Sequence, residues 1–205
     1  MFITFEGPEG SGKTTQAHLL AEHLRSRGRA VILTHEPGGT AIGDQIRAVL
    51  HDPMNSEMQP WAEVLLYSAS RAQLVAQVIR PALAAGKVVL CDRFYDSTLA
   101  YQGYGRGLDL SALQAITYLA TGGLVPDLTL YLDIQPDQGL QRRLLGGGEW
   151  NRMDQQTLEF HRRVRAGYLE LAGHEPERWV VINAAASVEE VQGRVQAIVE
   201  NRLLR

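Results

Sequence analysis

Lysine is almost missing from this chain: Lys13 and Lys87 are the only two, and arginine supplies the rest of the 20 basic residues. A lysine inside a motif therefore stands out. Cysteine is limited to Cys91, which excludes an internal disulfide or a cysteine metal site, and its apolar surroundings suit a buried thiol in a reducing compartment. No apolar run approaches membrane-spanning length, and the opening MFITFEG lacks a basic region followed by a long apolar stretch, so a cytoplasmic protein with no membrane partner is expected. Nor does one charge dominate. Acidic and basic side chains stand at 23 to 20, a formal net charge of -3, which argues against a nucleic-acid partner held by bulk charge. Any anion must be caught locally. The six histidines show no metal-ligand spacing and are expected at the surface or in packing.

What is present reads as one domain over residues 1–205, with no internal repeat, low-complexity tract or dividing linker. Five β-rich runs recur, FITF from Phe2, AVILT from Ala30, VVLC from Val88, LTLYL from Leu128 and WVVI from Trp179. Most are nearly continuous in apolar residues, as strands covered on both faces are. Helical periodicity fills the gaps: Ala17, Leu20, Ala21 and Leu24 form one stripe, and Ile42, Ile46, Val49 and Leu50 a second. Further helices are expected over about 60–85, 110–120, 154–172 and 188–203. The fold class is thus α/β, a five-stranded parallel sheet flanked by helices on both faces, in which ligands bind beyond the carboxyl ends of the strands.

After the first run comes GPEGSGKT, residues 7–14, matching G-x-x-x-x-G-K-[ST] between a strand and an amphipathic helix. Glycines let backbone N–H groups turn around phosphate oxygens, and the helix N-terminus adds positive potential. Gly7, Pro8, Glu9, Gly10, Ser11, Gly12, Lys13, Thr14 and Thr15 are the candidate ATP-binding residues. In this motif Lys13 reaches the β- and γ-phosphates and Thr14 ligates Mg²⁺. Switches that read guanine need Asn-Lys-x-Asp, and neither lysine here stands in that context.

A phosphate cradle alone names no reaction. Polar clusters fall where a second ligand belongs: HEPGGT at 35–40, then Arg47 in the next helix, Tyr67 and Arg71 four apart on one helix face, and DRFYDSTLAYQGYGRG at 92–107. Together, FEGPEGSGKTT, EPGGT, YSASRAQL, CDRFYDSTLAYQGYGRG, PDLTLYLD and NRMD resemble, in order and spacing over essentially the whole chain, the bacterial thymidylate kinases. The resemblance implies phosphoryl transfer from ATP to dTMP in dTTP synthesis, Mg²⁺ as cofactor, a P-loop kinase fold with a mobile lid, and a homodimer built on the helices near 60 and 110. By similarity, Arg93 and Arg47 hold the dTMP phosphate, Arg71 bonds the thymine, Tyr67 stacks on it, Thr98 and Gln102 complete the base contacts, and Tyr101 crowds C2′. Glu9 and Glu36 resemble the organisers of the deoxyribose and phosphate sites.

Plainer roles stand beside these. Tyr67 and Tyr101 could serve packing alone, Arg47 and Arg71 surface ion pairs, and Glu9 the helix dipole. Asp92 ends a strand and either ligates Mg²⁺ through water or orients Arg93. Asp133 is expected to be structural. The lid expected over about 142–154, RRLLGGGEWNRMD, offers Arg142, Arg143 and Arg152; Arg152 fits the catalytic position and Arg142 the adenine, beside NAAAS at 183–187. LLGGGEWN, 144–151, reads as the most flexible stretch.

Overall fold

The computed structural model of the chain describes residues 1–146 and 151–203. The flexibility expected of 144–151 falls in part on 147–150, which lie outside the described residues. The five apolar runs form strands β1 (Phe2–Glu6), β2 (Val31–His35), β3 (Val88–Asp92), β4 (Leu128–Asp133) and β5 (Trp179–Asn183). They lie side by side in the order β2-β3-β1-β4-β5, with every pairing parallel. β1 is central because it is buried along its whole length.

Alternation along the strands splits the core between two faces. Ile3, Phe5, Leu90 and Leu130 pack against helices α1 (Lys13–Ser26) and α9 (Val188–Leu203) through Leu20, Ala21, Val195 and Val199. Phe2, Val89 and Cys91 face the other way, toward Val64 and Leu74 of helix α3 (Pro60–Leu74). The strands read as continuous apolar runs for that reason.

Two helices depart from their periodicity. In α2 (Ala41–His51) the expected stripe is not the buried face: Leu50 is fully buried, but Ile42 and Val49 are 53% and 44% exposed. Gly43 decides which side packs, since a Cβ there would lie 2.9 Å from the Gly38 carbonyl and 3.0 Å from Ser70 Oγ of α3. The helix expected over 60–85 is α3 continued through a π-helical turn, Val75–Ile79, into α4 (Arg80–Ala84). Pro81 has no N–H to give the turn before it, and the helix widens there instead of stopping.

The stretch beginning DRFYDS forms α5 (Tyr95–Thr98), running into a second π-helical segment, Leu99–Gly105, and then α6 (Leu110–Thr121). α7 (Pro136–Leu145) occupies residues for which no helix was expected. α8 (Leu158–His174) starts four residues later than expected because Thr157 caps it, its hydroxyl accepting from Phe160 N.

One buried ion pair fastens α5 to the sheet. Arg178 donates to Asp96 Oδ2 at 2.6 Å and Oδ1 at 3.0 Å, and to Thr129 Oγ1 of β4 at 2.7 Å. Asp96 is fully buried, and removing it leaves the buried Arg178 guanidinium with the half-exposed Glu175 as its countercharge. Asp96→Ala is expected to lose about 3 kcal/mol in urea unfolding; a loss under about 1 kcal/mol would rank the pair with surface bridges.

Candidate active site

Every described strand ends on a polar residue: Glu6, His35, Asp92, Asp133 and Asn183. Apolar runs hold the sheet, and chemistry begins where they stop. A cavity of about 710 Å³ opens there, walled by the loop after β1, the segment after β2, α2, α3 and the stretch after β3. β1 lies between β3 and β4, so the chain leaves it at the crevice where the strand order reverses.

Glu9, Gly10, Gly12, Lys13, Thr14 and Thr15 line this cavity. Gly7, Pro8 and Ser11 stand behind the wall and bind the lysine: Lys13 Nζ donates to the carbonyls of Gly7 at 3.0 Å and Pro8 at 2.8 Å, and to Ser11 Oγ at 3.3 Å. Gly10, at φ 69°, lies so close to α7 that a Cβ would meet the Gly139 carbonyl at 1.9 Å. Gly12, also left-handed, begins α1 without any side-chain cap, leaving the first N–H groups to an anion. The Thr14 hydroxyl donates to Asp92 Oδ2. A hydroxyl beside a carboxylate at a phosphate loop is a donor set that Mg²⁺ accepts when phosphates complete it.

Arg93 is the centre of the next layer. It alone among described non-glycine residues has positive φ, 68°, a conformation that costs about 1 kcal/mol or more and is usually held for function. Its guanidinium donates to Gly7 O at 3.1 Å, Ser97 Oγ at 3.3 Å, Tyr168 OH at 3.4 Å, Glu9 Oε1 at 2.9 Å and Tyr101 OH at 3.2 Å. Tyr101 OH in turn donates to both Glu9 oxygens, at 2.7 and 2.6 Å. Burial alone would push the Glu9 carboxyl up, but Arg93, His161 and Lys13 hold it well below the usual range. Beneath them Glu6 shows the opposite balance. Burial and the nearby Asp96 push its carboxyl up to about 8.

At the far end Arg71 donates from Nε to Glu36 Oε2 at 2.8 Å and from Nη2 to Thr98 Oγ1 at 3.0 Å. Its Nη1 and Glu36 Oε1 are buried without a hydrogen-bond partner among the described residues. Arg71 and Glu36 both line the cavity, and a polar pair with bonding capacity to spare there suits a polar ligand. Arg47 donates to Pro37 O at 2.9 Å. Tyr67, Tyr101 and Gln102 line the same wall, so Glu36, Arg47, Tyr67, Arg71, Arg93, Thr98, Tyr101 and Gln102 all meet one space.

A phosphate loop and a polar second pocket within one cavity narrow the comparison, and the family model described as thymidylate kinase matches residues 5–195. The chain belongs to the thymidylate kinase family. It is 56% identical to the thymidylate kinase of Roseiflexus sp. (strain RS-1) over 98% of this chain and 93% of that one. Against the Deinococcus radiodurans thymidylate kinase the identity is 53%, covering 98% and 97%. The crystal structure of thymidylate kinase from Ehrlichia chaffeensis superposes with a TM-score of 0.78 at 36% identity, covering 98% of each chain. The sheet and its helical layers are the P-loop kinase fold of that structure.

Within this family member, Arg152 departs from its expected place. Its side chain is buried away from the cavity, donating to Leu50 O at 3.0 Å and paired with Glu63 at 2.5 Å. Arg143 instead stands on the cavity wall, bonded to Asp154. Arg142 is anchored to the loop after β5, donating to Ala184 O at 2.7 Å and Ala185 O at 3.1 Å. Asp133 takes a bidentate bond from Arg165, at 2.7 and 2.8 Å, as its structural reading requires.

The histidines sit at the surface or in packing as expected, but several of them lie at the site. His18, His35 and His51 line the cavity, and His161, fully buried, lies 3.4 Å from Glu9. Burial, reinforced by Arg47, pulls His51 down to about 4, so it faces the cavity uncharged near neutral pH. Glu6, Glu63, His161 and Tyr168 were missed by sequence reasoning. Signals existed: Glu63 precedes Tyr67 by one turn, and His161 and Tyr168 are two turns apart on one face of α8.

Burial, with repulsion from Arg93, lowers Lys13 from 10.5 to about 8. The unfolded chain keeps that proton longer, so this group favours folding increasingly as pH rises from about 8 toward 10.5. Phosphate affinity runs the other way because it needs the ammonium. ATP binding by calorimetry is expected to weaken roughly tenfold between pH ~7 and ~9.5, and Lys13→Arg should flatten that fall. A wild-type affinity independent of pH would remove Lys13 from the phosphate site.

Proposed function

We propose that residues 1–205 act as one kinase domain, a cytoplasmic homodimer that passes the γ-phosphoryl group of ATP to dTMP with Mg²⁺ as cofactor. The activity is that of the family, ATP plus dTMP giving ADP plus dTDP for dTTP synthesis. One observation carries the reading at this site: the uncapped helix start at Gly12 and the Arg71–Glu36 pair line the same cavity.

The phosphate oxygen of dTMP attacks the γ-phosphorus while the bond to the bridging oxygen of ADP breaks, so no side-chain nucleophile is needed. Catalysis is then positioning and charge. Lys13 follows the β- and γ-phosphates, trading its bonds to loop carbonyls for bonds to phosphate. Arg47 and Arg93 hold the acceptor phosphate, Glu9 keeps Arg93 in place, and Tyr101 closes the sugar site at C2′. Arg71 and Thr98 meet the thymine edge with Gln102, Tyr67 covers its face, and Glu36 fixes Arg71. Thr14 and Asp92 would hold Mg²⁺, which when bound offsets charge on the phosphates.

Segment 142–154 serves as the lid in this reading. Arg142 lies toward the adenine, and Arg143, in place of Arg152, is the arginine offered to the transferring phosphate. No described helix is long and apolar enough to cross a membrane. The dimer face is assigned to α3 and α6, where Trp61, Leu65, Tyr118 and Leu119 are exposed at 42%, 57%, 71% and 83%.

The deciding measurement is ADP release with dTMP, dUMP, thymidine or no acceptor. Strong dependence on dTMP is expected; turnover with thymidine would make the protein a nucleoside kinase, and acceptor-independent release an ATPase. Arg47→Met should lower kcat/KM for dTMP roughly a hundredfold while sparing ATP binding. Leu65→Glu with Leu119→Glu should shift sedimentation to the monomer, and an unchanged mass would move the dimer face elsewhere.

A further inference from the structure

Glu63 sits on α3 one turn before Tyr67 and two before Arg71, so the three share a helix face. Yet Glu63 does not reach the cavity. It is fully buried behind the wall, where its carboxylate accepts from Gln102 Nε2 at 2.7 Å, from Arg106 Nε at 2.7 Å and Nη2 at 2.8 Å, and pairs with Arg152 at 2.5 Å. Burial alone would push this carboxyl up, but Arg106 and Arg152 hold it below the usual range. It is therefore ionised, and an ionised carboxylate only accepts.

That chemistry decides which way round Gln102 sits. A side-chain amide offers a donor at one end and an acceptor at the other, and its orientation follows from its neighbours. Facing an obligate acceptor, Gln102 must present its NH₂ group to Glu63, leaving Oε1 on the other side. Gln102 lines the cavity, and among the described residues no donor reaches its Oε1.

We propose that Glu63 is a positioning residue for base selection: by holding the Gln102 NH₂ it turns Oε1 toward the cavity, where an acceptor suits the N3–H of thymine and opposes the bare N3 of cytosine. The inference rests on the dTMP reading of the site. Rotated by half a turn, the same amide would offer a donor to N3 and favour the wrong base. Selectivity is thus held by a residue that touches no ligand.

Two substitutions separate this role from simple packing. In Glu63→Gln, two guanidinium N–H donors at the Oε2 position against one at Oε1 keep the oxygen at Oε2, so the new NH₂ takes the place of Oε1, gives up the Arg106 Nε bond and forces Gln102 to turn. Glu63→Asp is shorter but still only accepts. The readout is the ratio of dCMP to dTMP dissociation constants, by calorimetry on the full chain. Glu63→Gln is expected to lower it at least about tenfold, while Glu63→Asp keeps most of it. A packing role gives the reverse ranking, because the amide is isosteric and the shorter acid leaves a gap; an unchanged ratio in Glu63→Gln overturns the proposal.

Gln102→Leu completes a double-mutant cycle. It should lower the ratio alone, and adding Glu63→Gln should then change nothing; a second fall of similar size places the effect of Glu63 elsewhere and refutes the proposal. Should Glu63→Gln lose its thermal transition, Gln102→Leu and Glu63→Asp decide: selectivity lost in the first and kept in the second supports the assignment, and any other pattern sinks it. Failure of wild-type protein to turn over dTMP would strike the kinase reading itself, before any ratio is compared.

Discussion

The Arg93 guanidinium, packed between the phosphate loop and α8 on the cavity wall, is the contact on which the site depends. Its backbone N–H donates to Phe5 O of β1, its side chain to Gly7 O at the start of the loop, and its charge sits against Glu9 inside that loop. β3, β1 and the loop are thereby joined at one residue. A surface ion pair is worth well under about 1 kcal/mol, whereas breaking a buried one leaves an uncompensated charge at a cost of about 3–5 kcal/mol. Glu9 is that charge here. The left-handed backbone of Arg93 is tolerated because so many partners fix it, and the same partners set the loop that receives phosphate.

Two buried cations so close together oppose each other, and the protein balances them with acids of different kinds. Glu9 is ionised and touches Arg93 directly; Asp92 bonds Thr14 and faces the cavity. Glu6, with its carboxyl pushed up, accepts from Phe94 N, Ser97 and Tyr168 and works as a polar brace more than as a countercharge near neutral pH. Lys13 donates to the Gly7 and Pro8 carbonyls, which hold its ammonium inside the loop, so its attraction for an anion there is mainly Coulombic. A nearly neutral chain gathers that potential in one cleft, where the walls exclude water and charge counts for more.

How far the sequence reveals this depends on the range of each contact. The strands and the phosphate loop were legible because local pattern alone makes them: an apolar run, then glycines, then an amphipathic helix. The α2 stripe misled because Gly43, with no side chain to register in a periodicity, sets which face packs. Arg152 misled for a longer-range reason. Its motif position suggests a phosphate contact, while its partner, Glu63, lies on a helix far away in the chain and could be matched only once α3 and the segment after 151 were placed together. The cavity histidines were likewise invisible to a search for metal spacing, since strand ends and crossovers, not intervals, bring His18, His35 and His51 to one wall.

The expected lid is divided by the strength of its anchors. On the donor side, α7 is tied to the phosphate loop by the Gly10–Gly139 approach and to the loop after β5 through Arg142. Residues 151–154 belong to the acceptor side, because Arg152 is sealed against Glu63 and Leu50 O. Between the two sides stands Arg143 with Asp154, at 3.3 Å, the Arg143 side chain 32% exposed and that of Asp154 fully buried. Parting that pair would leave a buried carboxylate behind, so its cost is of the same order as parting the buried Arg152 pair, about 3 kcal/mol or more. Both pairs therefore hold the segment after 151, Arg143 tying it to α7 and Arg152 to α3. What separates the two arginines is placement, Arg143 on the cavity wall and Arg152 behind it, and the proposed reading therefore gives Arg143 the role that the motif alone gave Arg152.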